Sequence, residues 1–208
     1  MQATLNVTEM FYSLQGEGAR AGEASVFIRL QGCKTKHACF ANGIMCDTEF
    51  ESGREMTMGE ILLEVRKLTD YNRSVWLVWT GGEPLDQLAN IHIDYMYEAG
   101  YEKQALETSG LVRLPMNHKL SYVAVSPKVA EHVLLKNFQG ESIDELRYVC
   151  HSGQSIPKPS ITAKHYYLSP HSDANRINAK NLLHCVVLCK QNPQWRLSVQ
   201  QHKVWGVL

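Results

Sequence analysis

Cys33, Cys39 and Cys46 fall within fourteen residues, in the stretch 31–48, Q-G-C-K-T-K-H-A-C-F-A-N-G-I-M-C-D-T. The pattern between them predicts neither a strand nor a helix, so three thiols on one loop can converge on a point. Convergent thiolates suit a soft metal centre: zinc if a fourth protein ligand closes the site, iron-sulfur if one iron is kept open. Three unrelated thiols are the plain alternative, and a polar loop with Gly and Lys is a poor place to bury them. The other cysteines read differently: Cys185 and Cys189 lie one helical turn apart among apolar neighbours, as core residues do, and Cys150 stands alone.

Other chemistry-bearing residues recur at the ends of strand-like runs. Arg29 interrupts the apolar run 25–30, S-V-F-I-R-L. Inside a central strand its charge requires an anion, which makes it a candidate carboxylate clamp; on an edge strand it would simply reach solvent. The run 75–79 leads into Thr80-Gly81-Gly82-Glu83-Pro84, where two glycines permit close backbone approach to a ligand and Glu83 offers an acceptor for an ammonium group. The glycine-rich stretch 13–22, S-L-Q-G-E-G-A-R-A-G, can clamp a small molecule with its amides or be an ordinary turn. Glu107-Thr108-Ser109-Gly110, Ser126-Pro127-Lys128, Ser169-Pro170-His171-Ser172 and Gln201-His202-Lys203 complete the set.

The elements that must position these groups alternate: strand, polar strand end, return segment. Strands are expected at 5–11, 25–30, 75–79, 103–108, 121–125, 146–150, 166–168 and 195–200. Helices are expected from a capping box at Thr57 and Glu60 with an apolar stripe at Ile61, Leu62, Val65 and Leu68, from about 85 to 99, and from 173 to 191 with Ser172 or Asp173 as cap. Residues 129–144 and 151–163 show no long helical pattern. This implies a largely parallel α/β sheet with one functional rim. The 208 residues are short for a full eightfold barrel, and a single-domain partial barrel of about six strands with fewer helices fits.

Composition narrows the function classes. With 21 basic and 21 acidic residues the formal charge is zero, against a general nucleic-acid binder and in favour of a small-molecule substrate. No apolar run approaches a bilayer span and no secretory signal opens the chain, so a cytoplasmic protein without membrane attachment is expected.

The order of the pieces resembles the radical S-adenosylmethionine (SAM) enzymes, and within them the 7-carboxy-7-deazaguanine synthase (QueE) family. The residues that carry this are L-Q-G-E-G at 14–18, F-I-R-L-Q-G-C at 27–33, C-D-T at 46–48, T-G-G-E-P at 80–84, E-T-S-G at 107–110, S-P-K at 126–128 and W-R-L-S-V-Q-Q-H-K at 195–203. The resemblance implies a partial (β/α)6-type barrel and a 4Fe-4S cluster held by Cys33, Cys39 and Cys46, with an open iron that chelates SAM. It implies reductive cleavage of SAM to a 5′-deoxyadenosyl radical, which abstracts hydrogen from 6-carboxy-5,6,7,8-tetrahydropterin; ring contraction with loss of ammonia then gives 7-carboxy-7-deazaguanine for queuosine and related deazapurines. It further implies that Leu14, Gln15, Gly16, Arg29 and Thr80 meet the substrate, with Arg29 on its carboxylate. Gly82 and Glu83 would meet the methionine end of SAM. Ser126, Pro127, Lys128 and the strand end Ser169, Pro170, His171 and Ser172 would line its ribose and adenine. Thr48 would contribute to a Mg²⁺ site, Gln201 and His202 match the terminal segment that folds over the pterin, and a homodimer reduced by a flavodoxin-like donor would be the working form.

Two departures stand out. The superfamily spacing leaves three and then two residues between the cysteines, whereas here five and six intervene and Gly43 stands where a two-residue interval would put a cysteine. His37 therefore competes with Cys39 as the middle ligand. Ser169 precedes Pro170 where the family more often has Gln. Two other functions share parts of the pattern: a radical SAM activase of a glycyl-radical enzyme, and a non-enzymatic zinc module using the cysteines and His37.

Overall fold

The computed structural model describes residues 3–41, 49–173 and 176–207. Among the described residues nine strands form one sheet: β1 (Thr4–Leu14), β2 (Ala24–Leu30), β3 (Arg54–Thr57), β4 (Trp76–Gly81), β5 (Gln104–Thr108), β6 (Tyr122–Val125), β7 (Glu145–Cys150), β8 (His165–Pro170) and β9 (Trp195–Leu197). Their order is β3-β1-β2-β4-β5-β6-β7-β8-β9. From β2 through β9 neighbouring strands pair parallel, while β1 runs antiparallel to β2 and β3 antiparallel to β1. The expected α/β architecture is present, with β3 as an added edge. Its short, charged sequence R-E-M-T carries no alternating signal, and pairing with β1 holds it.

Helices α1 (Lys36–Ala41), α2 (Met58–Leu68), α3 (Asn90–Glu98), α4 (Glu131–Phe138), α5 (Ala179–Gln191) and α6 (His202–Trp205) complete the described elements. Successive strand residues alternate between two faces, apart from the irregularity at 7–9 of β1. Ile28, Leu30, Leu77, Trp79, Leu106, Val123, Val125 and Leu146 pack with Ile61, Val65, Ile93, Met96, Leu134 and Phe138 of α2, α3 and α4 in the main core. Residues of opposite parity, among them Phe27, Val78 and Ala105, face inward with Phe11 in a much smaller cluster. Cys150 and Cys185 pack with Leu168 and Trp195 in a third cluster, so that part of the cysteine set is core, as expected.

Helix α2 begins where its capping box places it. Thr57 Oγ1 accepts from Glu60 N at 3.2 Å and Glu60 Oε2 accepts from Thr57 N at 2.8 Å. Thr57→Ala is expected to lose about 1 kcal/mol of stability in urea unfolding, because it orphans a first-turn amide; an unchanged midpoint would show that the cap contributes nothing.

Other boundaries depart from expectation for local reasons. The helix expected from about 85 begins at Asn90. Residues Pro84–Asp86 form a single 3-10 turn, and the Gln87 side chain is drawn out to the main chain of Asn6 (2.8 Å) and Gln31 (2.7 Å). The helix expected from 173 begins at Ala179, capped by Asn178, whose side chain accepts from Asn181 N at 3.0 Å. Helix α4, eight residues with two buried apolar side chains, is a short helix in a return segment where no long one was expected. Helix α1 forms within the cysteine loop, where none was expected.

The sheet curls. The segment joining β1 to β2 bonds both to β7, through Glu17 and Arg147 (2.9 Å), and to the chain beyond β9, through Gly18 N to Ser198 Oγ (3.0 Å) and Gln201 N to Gly16 O (2.9 Å). Strands β3 and β9 are its edges among the described residues, and residues 15–20 with 198–202 bridge between the two sides of the curl.

Candidate active site

Register brings the polar residues into one transverse row on the inner face. Glu9 of β1 lies opposite Arg29 of β2, and Arg29 beside Thr80 of β4. One residue beyond the Trp79–Leu106 pair, Thr80 Oγ1 donates to Glu107 Oε2 at 3.1 Å. Glu107 lies beside Ala124, and Ala124 beside Glu145. A strand residue that faces inward is flanked by two that face the helices, so this row sits directly behind the core.

Arg147, two residues along β7 from Glu145, gathers three carboxylates, two of them in this row. Its guanidinium donates to Glu17 at 2.9 Å, to Glu107 at 3.4 Å and to Glu145 through Nε at 3.0 Å. Gln15 Nε2 adds a bond to Glu107 at 3.0 Å, and Tyr122 OH one to Glu145 at 2.9 Å. Arg20 lies buried over the rings of Trp76 and Tyr122, at 4.6 and 5.1 Å. Burial works against the charge of Arg147, but Glu145, Glu17 and Glu107 outweigh it and push its pKa well above the usual arginine value. Burial likewise raises the pKa of Glu107, yet Arg147, Arg20 and the bonds from Thr80 and Gln15 win, and the carboxyl is held below its ordinary value.

Two cavities meet at this row. The first, about 240 Å³, is lined by Cys33 and Cys39 on one side, by Gly81 and Gly82, and by Ser126, Lys128, Ser169, Pro170, His171 and Ser172 on the other. The second, about 490 Å³, is lined by Leu14, Gln15, Gly16, Phe27, Arg29 and His202. Glu17, Thr80, Glu107, Arg147 and Gln200 line both.

The first cavity is built for close approach. A Cβ on Gly82 would stand 1.9 Å from Gly32 O and 3.0 Å from Cys33 Cβ, so only glycine lets β4 lie against the cysteine loop. Gly82 N and Glu83 N donate to Leu30 O (3.1 Å) and Gly32 O (3.0 Å), clamping that contact. Glu83 itself is fully buried and does not line the cavity: its carboxylate accepts from Thr108 Oγ1 (2.7 Å), Ser109 N (2.8 Å) and Leu85 N (3.2 Å), and from the Ser109 hydroxyl. It braces β4 against β5. Ser169 Oγ and Gln200 Oε1 are buried at the cavity wall with no hydrogen-bond partner among the described residues, as expected where a polar ligand completes them.

Solved structures and curated relatives agree on what this resembles. The fold matches the crystal structure of QueE from Escherichia coli with a TM-score of 0.64, at 24% identity over 95% of this chain and 94% of that one. No family model matches the chain. The 7-carboxy-7-deazaguanine synthase of Bacteroides thetaiotaomicron is 36% identical over 199 residues, covering 95% of this chain and 96% of its own. Those of Bradyrhizobium diazoefficiens and Burkholderia multivorans are each 33% identical, covering 97% and 98% of this chain and 98% and 99% of theirs. The chain belongs to the 7-carboxy-7-deazaguanine synthase family.

Within the synthase fold the residues picked from sequence separate cleanly. Those expected at SAM line the first cavity, apart from Glu83 and Pro127; those expected at the substrate line the second, and Thr80 lines both. Cys46 and Thr48 lie outside the described residues. Among the described residues no three His, Cys, Asp or Glu side chains converge as a metal site, and Cys33 and Cys39 are the two thiols at the cavity. His37, on the same short helix as Cys39, is exposed and does not line it. Sequence reasoning missed Arg147 and Gln200 and gave Glu17 and Glu107 no site role. Arg147 carried a usable signal, since a lone Arg in the apolar run L-R-Y-V-C is the same anomaly that singled out Arg29.

Proposed function

We propose that this chain converts 6-carboxy-5,6,7,8-tetrahydropterin to 7-carboxy-7-deazaguanine with loss of ammonia, as a radical SAM lyase of deazapurine biosynthesis. The observation that carries this reading is the pair of cavities meeting at one row, with the two thiols and the orphaned polar atoms around the first and Arg29 in the second. Cys33, Cys39 and Cys46 would hold a 4Fe-4S cluster, and the inward position of Cys39 favours it over the exposed His37. When bound, cluster and SAM supply the radical that takes a hydrogen atom from the substrate.

The chain's own residues bind and orient. Ser126, Lys128, Ser169 and His171 present polar groups to the sugar and base of SAM, and the Gly82 backbone brings its methionine end close to the cysteine loop. Arg29 takes the substrate carboxylate with a fork-shaped donor set. Glu17 and Glu107, facing the same space, accept from the N–H-rich edge of the pterin, and Thr48 serves a Mg²⁺ ion beside it. A homodimer reduced by a flavodoxin-like donor completes the proposal. A cytoplasmic location belongs to the same proposal; no helix among the described residues is long and apolar enough to cross a membrane.

Anaerobically reconstituted protein, reduced and supplied with SAM, Mg²⁺ and the carboxytetrahydropterin, is expected to release 7-carboxy-7-deazaguanine. SAM cleavage without turnover of the pterin would point instead to an activase, which has no use for the second cavity. A colourless protein holding one zinc and no SAM would overturn the radical reading altogether.

A further inference from the structure

Arg29 is presented to its cavity by a neighbour that does not itself line that cavity. Glu9 stands directly across from Arg29 in the β1–β2 register, immediately after the irregularity at 7–9, and its Oε1 accepts from Arg29 Nη1. Beneath the guanidinium lies the Phe11 ring, 4.9 Å from Cζ to its centroid, and Phe11 is stacked in turn on Phe27 at 5.0 Å and 12°. Arg29 and Phe27 line the second cavity; Glu9 does not. No other described residue bonds the guanidinium, so one nitrogen is committed to Glu9 and the rest of the fork is open to a ligand.

An arginine side chain has much rotamer freedom to lose, and a ligand that must freeze it binds correspondingly less tightly. Here the side chain is fixed in advance, by an ion pair at its edge and a ring against its face. Glu9 and Arg29 side chains are 42% and 29% exposed, so the pair contributes little to folding, and its worth falls on what Arg29 binds. We propose that Glu9 is a positioning residue for the carboxylate clamp: it orients the Arg29 fork toward a carboxylate-bearing pterin without occupying the ligand's place. This rests on the reading of Arg29 given above.

The test is direct binding of two unreactive fluorescent probes, 6-carboxypterin and pterin, to the reconstituted, SAM-loaded enzyme with Mg²⁺. Wild type is expected to prefer 6-carboxypterin, and Arg29→Met to abolish that preference. Glu9→Ala is expected to weaken 6-carboxypterin about tenfold and pterin not at all, Glu9→Gln, which keeps the acceptor oxygen, to restore most of the loss, and Glu9→Ala to add nothing in the Arg29→Met background. If Glu9→Ala binds 6-carboxypterin as tightly as wild type, or more tightly, the positioning role is overturned while the clamp stands. If Arg29→Met binds both probes as wild type does, or wild type shows no preference, the clamp fails and the role of Glu9 fails with it. Equal loss of both probes in Glu9→Ala would mark a general disturbance of the cavity and also overturn the proposal.

Discussion

Arg147→Met unfolds at lower urea than the wild type, with an expected loss of about 3–5 kcal/mol, because it leaves buried carboxylates without their shared cation. Arg147 and Glu145 are 8% and 1% exposed, and Glu107 and Glu17 turn toward the same guanidinium. The sign of the pH dependence checks the cause. In the wild type the folded pKa of Glu107 is depressed, so its contribution is present above the ordinary carboxylate range and disappears as pH falls through the folded value. Without Arg147 the largest of the groups that hold this carboxyl down is gone, and the folded pKa moves up. The variant's deficit is then greatest near neutrality and shrinks on acidification, whereas a simple packing defect would be flat with pH. Adding Glu145→Gln should recover part of the loss. A deficit below about 1 kcal/mol would show that the lattice behaves as an exposed ion pair.

The second large effect is expected at Gly82. A methyl group there would stand 1.9 Å from Gly32 O, so either β4 or the loop carrying Cys33 must yield. Overpacking of this kind costs about 1–3 kcal/mol, and an ångström-scale displacement beside the chemistry about a hundredfold in turnover. Gly82→Ala should therefore reconstitute with little iron and turn over poorly while its far-UV circular dichroism stays that of the wild type. Full iron content with wild-type turnover would mean that the contact between β4 and the loop is dispensable.

Much of the site was legible because its signals are local. A glycine pair after a strand, a cysteine loop and polar strand ends each mark themselves within a few residues, and those among the described residues line one cavity. The capping box at Thr57 and Glu60 was legible for the same reason. What escaped depends on distant partners. Glu107 and Glu17 acquire their role from Arg147, which lies 40 and 130 residues away and joins them only once the sheet curls. Ser172 and Asp173 look like a helix cap, yet Asn178 is the residue whose side chain meets the first free amides. The cap-like letters are alike; which one serves is decided by where β8 releases the chain. Glu83 was read as a ligand group, and the fold spends its carboxylate on Thr108 and Ser109 instead.

The two-faced alternation of the strands sets how this catalyst can change. Thr80 faces the cavities while Trp79 beside it is sealed in the core, and Glu107 stands in the same relation to Leu106. Single replacements at the inward positions can therefore reshape what is bound without touching the packing that holds the helices. A deletion or insertion of one residue inside β4 or β5 is a different event: it would turn Trp79 or Leu106 into the cavity and a carboxylate or hydroxyl into the core. New specificities in this scaffold are reachable by substitution within strands and by length change only in the segments between them.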